Sequence, residues 1–110
     1  MQKFANYLLI EQQDNIYSLH LTPELQDDIG TVGLVKFTEE KSVKKNETIV
    51  IIEASKTIFS INTPLAGTIV EINKEAINNP KYLNSSKLEQ NWLIKLTNVD
   101  QKEFLKLEDY

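Results

Sequence analysis

The sequence has no cysteine. It therefore forms no disulfide, offers no thiolate to a metal and has no redox chemistry of its own. Arginine is also missing: all 12 basic residues are lysines. Without the planar guanidinium fork that grips phosphates and guanine edges, nucleic acid is not an expected partner. A formal net charge of −4 argues the same way. There is one histidine, His20, so a metal centre or a Ser-His-Asp arrangement would rest on it alone. A lone histidine at a strand end reads as a surface or satisfied core residue, because a general base needs partners within reach. Three glycines, at 30, 33 and 67, make no phosphate-cradling loop. Ser55 has no evident base or oxyanion partner, which argues against nucleophilic catalysis. The expectation is a protein that is not an enzyme and holds no metal. No apolar run approaches the ~20 residues that cross a membrane. The apolar segment Tyr7–Ile10 is too short for a secretory signal, so a cytoplasmic protein without a membrane partner is expected.

What is present is ordinary globular composition: 110 residues, 41% hydrophobic and 25% charged. One domain over residues 1–110 is expected, with its core between 7 and 97. Tyr7–Ile10 reads as a first strand. Ile16–Leu21 reads as a second, joined to the first through an Asp14-Asn15 turn. Thr22-Pro23-Glu24 opens a short helix with Thr22 as N-cap. Leu25 and Ile29 bury one face of it, and Gly30 stops it. Thr31–Phe37 is a third strand. Residues 39–47 carry charges of both signs around a lone Val43 and read as a solvated surface connection.

Gly67 opens a strand in which Thr68, Val70 and Ile72 share one face. Glu75–Leu83 is short helix or irregular chain broken at Asn78-Asn79-Pro80. Trp92–Leu96 alternates, with Trp92, Ile94 and Leu96 inward. A terminal helix over about 100–108 starts at Asp100. There Asp100 and Glu103 have the spacing of a capping box, and Val99 and Phe104 that of a hydrophobic staple. Leu105 and Leu107 would dock it. Gly30-Thr31-Val32 and Gly67-Thr68-Ile69 form a faint repeat. The sum is an all-β sandwich or barrel with short helices.

The chain is organised around Glu53-Ala54-Ser55-Lys56-Thr57. Thr48–Ile52 before it and Ile58–Asn62 after it are rich in β-branched residues and bounded by small polar ones, which reads as strand, turn, strand. Lys56 stands in the turn, exposed on a stiff base. Most turn lysines are solvated and nothing more. The acidic cluster Glu24, Asp27 and Asp28 reads first as helix-dipole compensation and solvation.

Glu53-x-x-Lys56 followed by Pro64, Gly67 and Glu71-x-Asn73 resembles the lipoyl-attachment motif of the glycine cleavage system H protein. The likeness runs on through Asn84 and Trp92–Leu96. Upstream, Tyr17, Thr22, Gln26 and Gly30 stand where that family carries the same residue types. Together it covers roughly residues 15 to 97. It implies a lipoyl/biotinyl-type barrel-sandwich hybrid, with lipoic acid in amide linkage to Lys56. Glu53 and Gly67 would be recognition residues for a lipoate-protein ligase, and dihydrolipoyl dehydrogenase is a further implied partner. Ser55 and Thr57 beside Lys56, where a biotin carrier would have methionines, favour lipoyl over biotin.

The sequence departs from the H-protein pattern. Tyr7-Leu8-Leu9 replaces a His-Glu-Trp segment, Glu89 and Asn91 replace glycines, and the connection near Lys41 is one residue shorter. This short form resembles the H-like proteins, found in bacterial gene clusters with a macrodomain hydrolase, a sirtuin-type ADP-ribosyltransferase and a lipoate ligase. That resemblance implies lipoylation-dependent ADP-ribosylation, with Asp27 the first and Asp28 the second candidate acceptor, in oxidative-stress response or lipoyl transfer. Two other readings remain open: an H protein carrying the aminomethyl group in glycine cleavage, and an interaction module without a prosthetic group.

Overall fold

The computed structural model describes residues 1–110. Strands β1 (Gln2–Ala5) and β2 (Leu8–Gln13) form a hairpin. Its two-residue turn places Asn6 and Tyr7 at φ of 52° and 66°, the left-handed pair that matches strand twist. Tyr7 is thus an exposed turn residue rather than the start of a strand. β1 has no apolar alternation to announce it and is held by its pairing with β2. β3 (Ile16–Leu21) follows through Asp14-Asn15 and pairs with β2 as expected.

Helix α1 (Pro23–Ile29) begins where Thr22 caps it: the Thr22 hydroxyl accepts from Leu25 N at 3.3 Å and donates to the Tyr7 carbonyl at 2.8 Å. Leu25 and Ile29 are buried, and Gly30 ends the helix at φ 80°. β4 (Val32–Phe37) then pairs with β6 (Thr48–Ala54), which pairs with β7 (Ile58–Asn62). Between β4 and β6 the expected solvated connection contains a strand. Ser42–Val43 is β5, paired with β8 (Gly67–Ile72), and Val43 is buried. Two residues are too few to show a period.

Two bulges correct the alternation expected for the later strands. In β8, Val70 is an extra residue between the pairs Ile69–Leu96 and Glu71–Lys95, so it faces solvent while Ile69 and Ile72 pack on the core. In β9 (Trp92–Thr97), Leu93 is extra between the pairs Leu19–Ile94 and His20–Trp92. Leu93 is therefore buried beside Ile94 and Leu96. Trp92 is only half buried, with the Lys95 ammonium 4.7 Å from its ring centroid. Between β8 and β9 lie α2 (Glu75–Asn78) and a 3-10 turn (Pro80–Asn84), separated at Asn79.

The C-terminal helix α3 is shorter than expected, Gln101–Leu105. Asp100 caps it by accepting from Lys102 N at 2.9 Å, but Glu103 pairs with Lys106 instead of closing a capping box. Phe104 is wholly buried, edge-on to Tyr17 at 5.0 Å, so the core extends past residue 97. Leu107 packs against the core while Leu105 is exposed. Glu108–Asp109, expected within the helix, forms β10 against β1, and Asp109 meets the buried Lys3 ammonium at 2.7 Å.

The result is a seven-stranded sheet, β10-β1-β2-β3-β9-β8-β5, and a three-stranded sheet, β4-β6-β7. Their inner faces share one apolar core, with Leu19, Ile94 and Leu96 from the first and Val35, Ile49 and Ile52 from the second. The sheets do not close into a continuous barrel. No helix is long and apolar enough to cross a membrane.

Candidate functional site

Lys56 is exposed at the tip of the β6–β7 hairpin, as its sequence context predicts. The tip is not a free loop. Its turn closes on itself through Ala54 N to the Thr57 carbonyl at 2.9 Å. It is then bonded to the segment leaving α1: Ser55 N donates to the Thr31 carbonyl at 2.9 Å, and Lys56 N donates to the Ile29 carbonyl at 3.0 Å. The Ser55 hydroxyl accepts from Thr31 N at 3.0 Å. Gly30 makes this approach possible, since a side chain there would overlap Ser55 Oγ and press on Lys56 Cγ. The Lys56 ammonium donates to the Asp27 carbonyl at 2.7 Å. That carbonyl is in the last turn of α1, where the helix dipole favours a cation.

Beside the lysine is an open cleft of about 490 Å³ lined by Gln26, Asp27, Gly30, Thr31, Lys56, Lys81 and Asn84, with no apolar residue. Side-chain amides fix its walls. Asn84 accepts from Val32 N at 2.8 Å and donates to the Gly30 carbonyl at 2.9 Å. Gln26 donates to the carbonyls of Leu83 and Ser85, both at 2.8 Å. Asn91 donates to the same Ser85 carbonyl at 3.0 Å. The 3-10 turn is thereby clipped to α1 and to the start of β4. Gln26 and Asn84 stand out in the sequence as residue types matching a family. Their work as clips is not legible there, because it depends on backbone groups more than 50 positions away.

The structure brings Asp27 to Lys56, and Asp27 lines the cleft. Asp28 is exposed but is not part of the cleft wall. Glu53 is exposed on β6, directly across from Leu34 on one side and Ile58 on the other. Gly67 is in the other sheet, paired with Val43. A Cβ there would come within 2.8 Å of the Thr97 carbonyl, so close strand packing by itself requires glycine.

His20 is no part of this site. It is 3% exposed, its Nδ1 is 2.9 Å from Asn91 Oδ1, and its Nε2 has no protein partner. Burial holds its pKa below the ordinary value, against the raising effects of the Asn91 hydrogen bond and Glu11. The folded protein therefore keeps His20 neutral, while the unfolded chain takes up a proton near pH ~6.5. Between the folded and unfolded pKa values the unfolded state binds more protons, so stability falls with falling pH. The contribution is complete above pH ~6.5 and is lost as pH drops through the lowered folded value. Urea midpoints measured from pH 7.5 to about 5.5 will show this slope. His20→Gln will flatten it, and an equally steep slope in that variant would remove His20 as its source.

An exposed lysine on a stiff hairpin tip, set into a two-sheet barrel-sandwich, defines a lipoyl-type carrier domain. Lys56 has room for an acyl arm: its ammonium meets only a backbone carbonyl and faces an open polar cleft. The sequence profile described as glycine cleavage H-protein matches residues 2–110. The glycine cleavage system H-like protein of Staphylococcus aureus (strain Mu50 / ATCC 700699) is 52% identical over 109 residues, covering 99% of each chain. The glycine cleavage system H protein of Oceanobacillus iheyensis is 29% identical over 99 residues, covering 89% of this chain and 79% of its own. A crystal structure of the H protein from Mycobacterium marinum shares the fold, with a TM-score of 0.76 at 21% identity over 87% of this chain and 81% of that one. The chain belongs to the glycine cleavage H-protein family. Members are carriers rather than enzymes and bear lipoic acid covalently on a lysine.

Proposed function

We propose that Lys56 is the lipoylated residue and that the protein is a lipoyl carrier serving a lipoylation-dependent ADP-ribosylation system. The observation that carries the assignment is the docked tip: of the 12 lysines, Lys56 is the one at the end of the β6–β7 hairpin, bonded through its backbone to the α1 exit. A ligase needs an amine at a fixed place. In the transfer, the Lys56 ammonium leaves the Asp27 carbonyl and loses a proton. Nζ then attacks the carbonyl of an activated lipoyl group, an amide forms and the activating group departs. The chain has no thiol, so both dithiolane sulfurs arrive with the arm. A lipoate-protein ligase is the first partner, and dihydrolipoyl dehydrogenase fits as a partner for the arm's redox cycle. Incubation with the ligase, digestion and mapping of the adduct test the assignment. An adduct on Lys44 or Lys45 with Lys56 bare would overturn it.

The likeness to the S. aureus H-like protein over nearly the whole chain supports the short H-like form, and the family match supports a glycine cleavage carrier equally. The site supports Asp27 as acceptor of ADP-ribose from a sirtuin-type transferase, with a macrodomain hydrolase removing the mark. The carboxylate would attack the anomeric carbon of the NAD ribose, nicotinamide would leave, and an ester would form. Asp27 shares its cleft with Lys56 and Asp28 does not. Lipoylated protein incubated with the transferase and NAD should lose at least about 90% of ADP-ribose incorporation in Asp27→Asn, a tenfold change or more. Asp28→Asn should keep it. Incorporation at the unmutated level in Asp27→Asn places the acceptor elsewhere. Transfer of an aminomethyl group, measured with glycine cleavage enzymes, is the result that would favour the H-protein reading.

A further inference from the structure

We propose that the outer face of the β4-β6-β7 sheet is the docking surface for the enzyme that acylates Lys56, with Leu34, Ile51 and Ile58 as its apolar anchors. The proposal rests on Lys56 being the modified residue. These side chains are 52%, 39% and 69% exposed. They are not scattered. Leu34 pairs with Glu53 across one strand boundary, and Glu53 pairs with Ile58 across the next. Ile51 precedes Glu53 by two residues on the same face of β6, diagonal to the other two and within reach of long side chains. Three aliphatic groups thus ring one carboxylate. Isolated exposed aliphatics need no explanation, but a contiguous set rimmed by polar groups marks an interaction surface.

Size and chemistry choose the occupant. A specific interface covers roughly 800 Å² on each partner, and a three-residue hairpin tip offers a fraction of that. An enzyme seated over Lys56 must therefore spread along one of the surfaces that flank the tip. On the α1 side the cleft has no apolar lining residue. On the other side β6 and β7 run directly from the patch into the tip. Interface cores are built on apolar anchors within a polar rim, so the sheet face is the surface that can hold the enzyme. Glu53 takes part in none of the ion pairs. Lys36, exposed across from Ile51 on the same face, is its diagonal neighbour but makes no ion pair with it. Once covered, Glu53 still needs a close counter-charge, which a cation on the ligase supplies. The occupant is thus an acylating enzyme with an apolar face and a basic residue at its centre.

The test uses the whole unmodified chain and its lipoate ligase. Leu34→Thr, Ile51→Thr and Ile58→Thr are combined, since threonine keeps the strand preference. Val70→Thr, also exposed but on β8, is the control. The triple variant should raise KM for the carrier at least about tenfold with kcat within about twofold, the pattern of lost uniform binding. Its melting temperature should match the parent, and the control should change nothing. In methyl NMR spectra, ligase should shift Leu34, Ile51 and Ile58 but not Val70. An unchanged KM with Lys56 labelled in the parent sinks the docking face alone. Parent labelling on another lysine sinks both this and the site assignment. Self-association of the parent that the triple variant abolishes, with KM unaltered, would give the face to a second copy and overturn the proposal.

Discussion

Lys56→Arg will give a folded protein that the ligase cannot label. Arginine keeps an exposed cation on the tip and can still donate to the Asp27 carbonyl, which Lys56 reaches at 2.7 Å. The backbone bonds of residue 56 do not depend on its side chain. Stability should therefore stay within about 0.5 kcal/mol of the parent. Guanidinium stays protonated and is not acylated under these conditions, so incorporation should fall to background rather than slow. Intact mass after exhaustive ligase treatment reads the result, with circular dichroism confirming the fold. Residual single labelling of the variant at the parent rate would show that another lysine is the acceptor. Loss of labelling with loss of folding would move Lys56 from chemistry to structure.

The exposure of Lys56 was legible because the strand and turn residues around it are local signals. So was α1, since Thr22, Pro23 and Gly30 each act on their own backbone. The neighbourhood of β4 and the Lys56 hairpin also follows from the order of elements. What stayed hidden depends on distant partners. β1 exists because β2 and β10 flank it, and nothing in Gln2–Ala5 says so. The outward turn of Val70 and the partial exposure of Trp92 are not legible because β8 and β9 each contain one extra residue, and a bulge reverses the alternation beyond it. Ile94 and Leu96 are buried as their alternation predicts. The bond between the Lys56 ammonium and the Asp27 carbonyl joins residues 29 positions apart. The sequence placed Asp27 and Asp28 on adjacent helix positions, and helix geometry separates neighbours by about 100°. That the lysine meets the Asp27 main-chain carbonyl, rather than either carboxylate, required the structure.

Gly30→Ala will be the most damaging single methyl in the site. Gly30 is recognisable in the sequence as a helix stop, but it has a second function that only the fold reveals. At φ 80° an L side chain is strained, at a cost of about 1–2 kcal/mol. The new Cβ would also overlap Ser55 Oγ and come within 3.1 Å of Lys56 Cγ. Relief requires Ser55 to move, which breaks the hydroxyl's bond with Thr31 N and loosens the return bond from Ser55 N to the Thr31 carbonyl. Together these costs reach about 2–4 kcal/mol, or a fall in melting temperature of roughly 10–20 °C. Lipoylation should slow as well, since the tip leaves its seat on α1. Gly33→Ala is the matched control: its Cβ would meet only the Glu53 carbonyl at an ordinary 3.7 Å, and it should cost no more than about 0.5 kcal/mol. The double variant Gly30→Ala, Ser55→Ala separates the two contributions. It removes the overlapping oxygen and leaves the backbone strain, so it should be more stable than the sum of the single changes predicts. The coupling should be at least about 0.5 kcal/mol. Strict additivity in that cycle would mean that Gly30 acts through its backbone alone and that the seating of the Lys56 tip does not depend on the space it leaves.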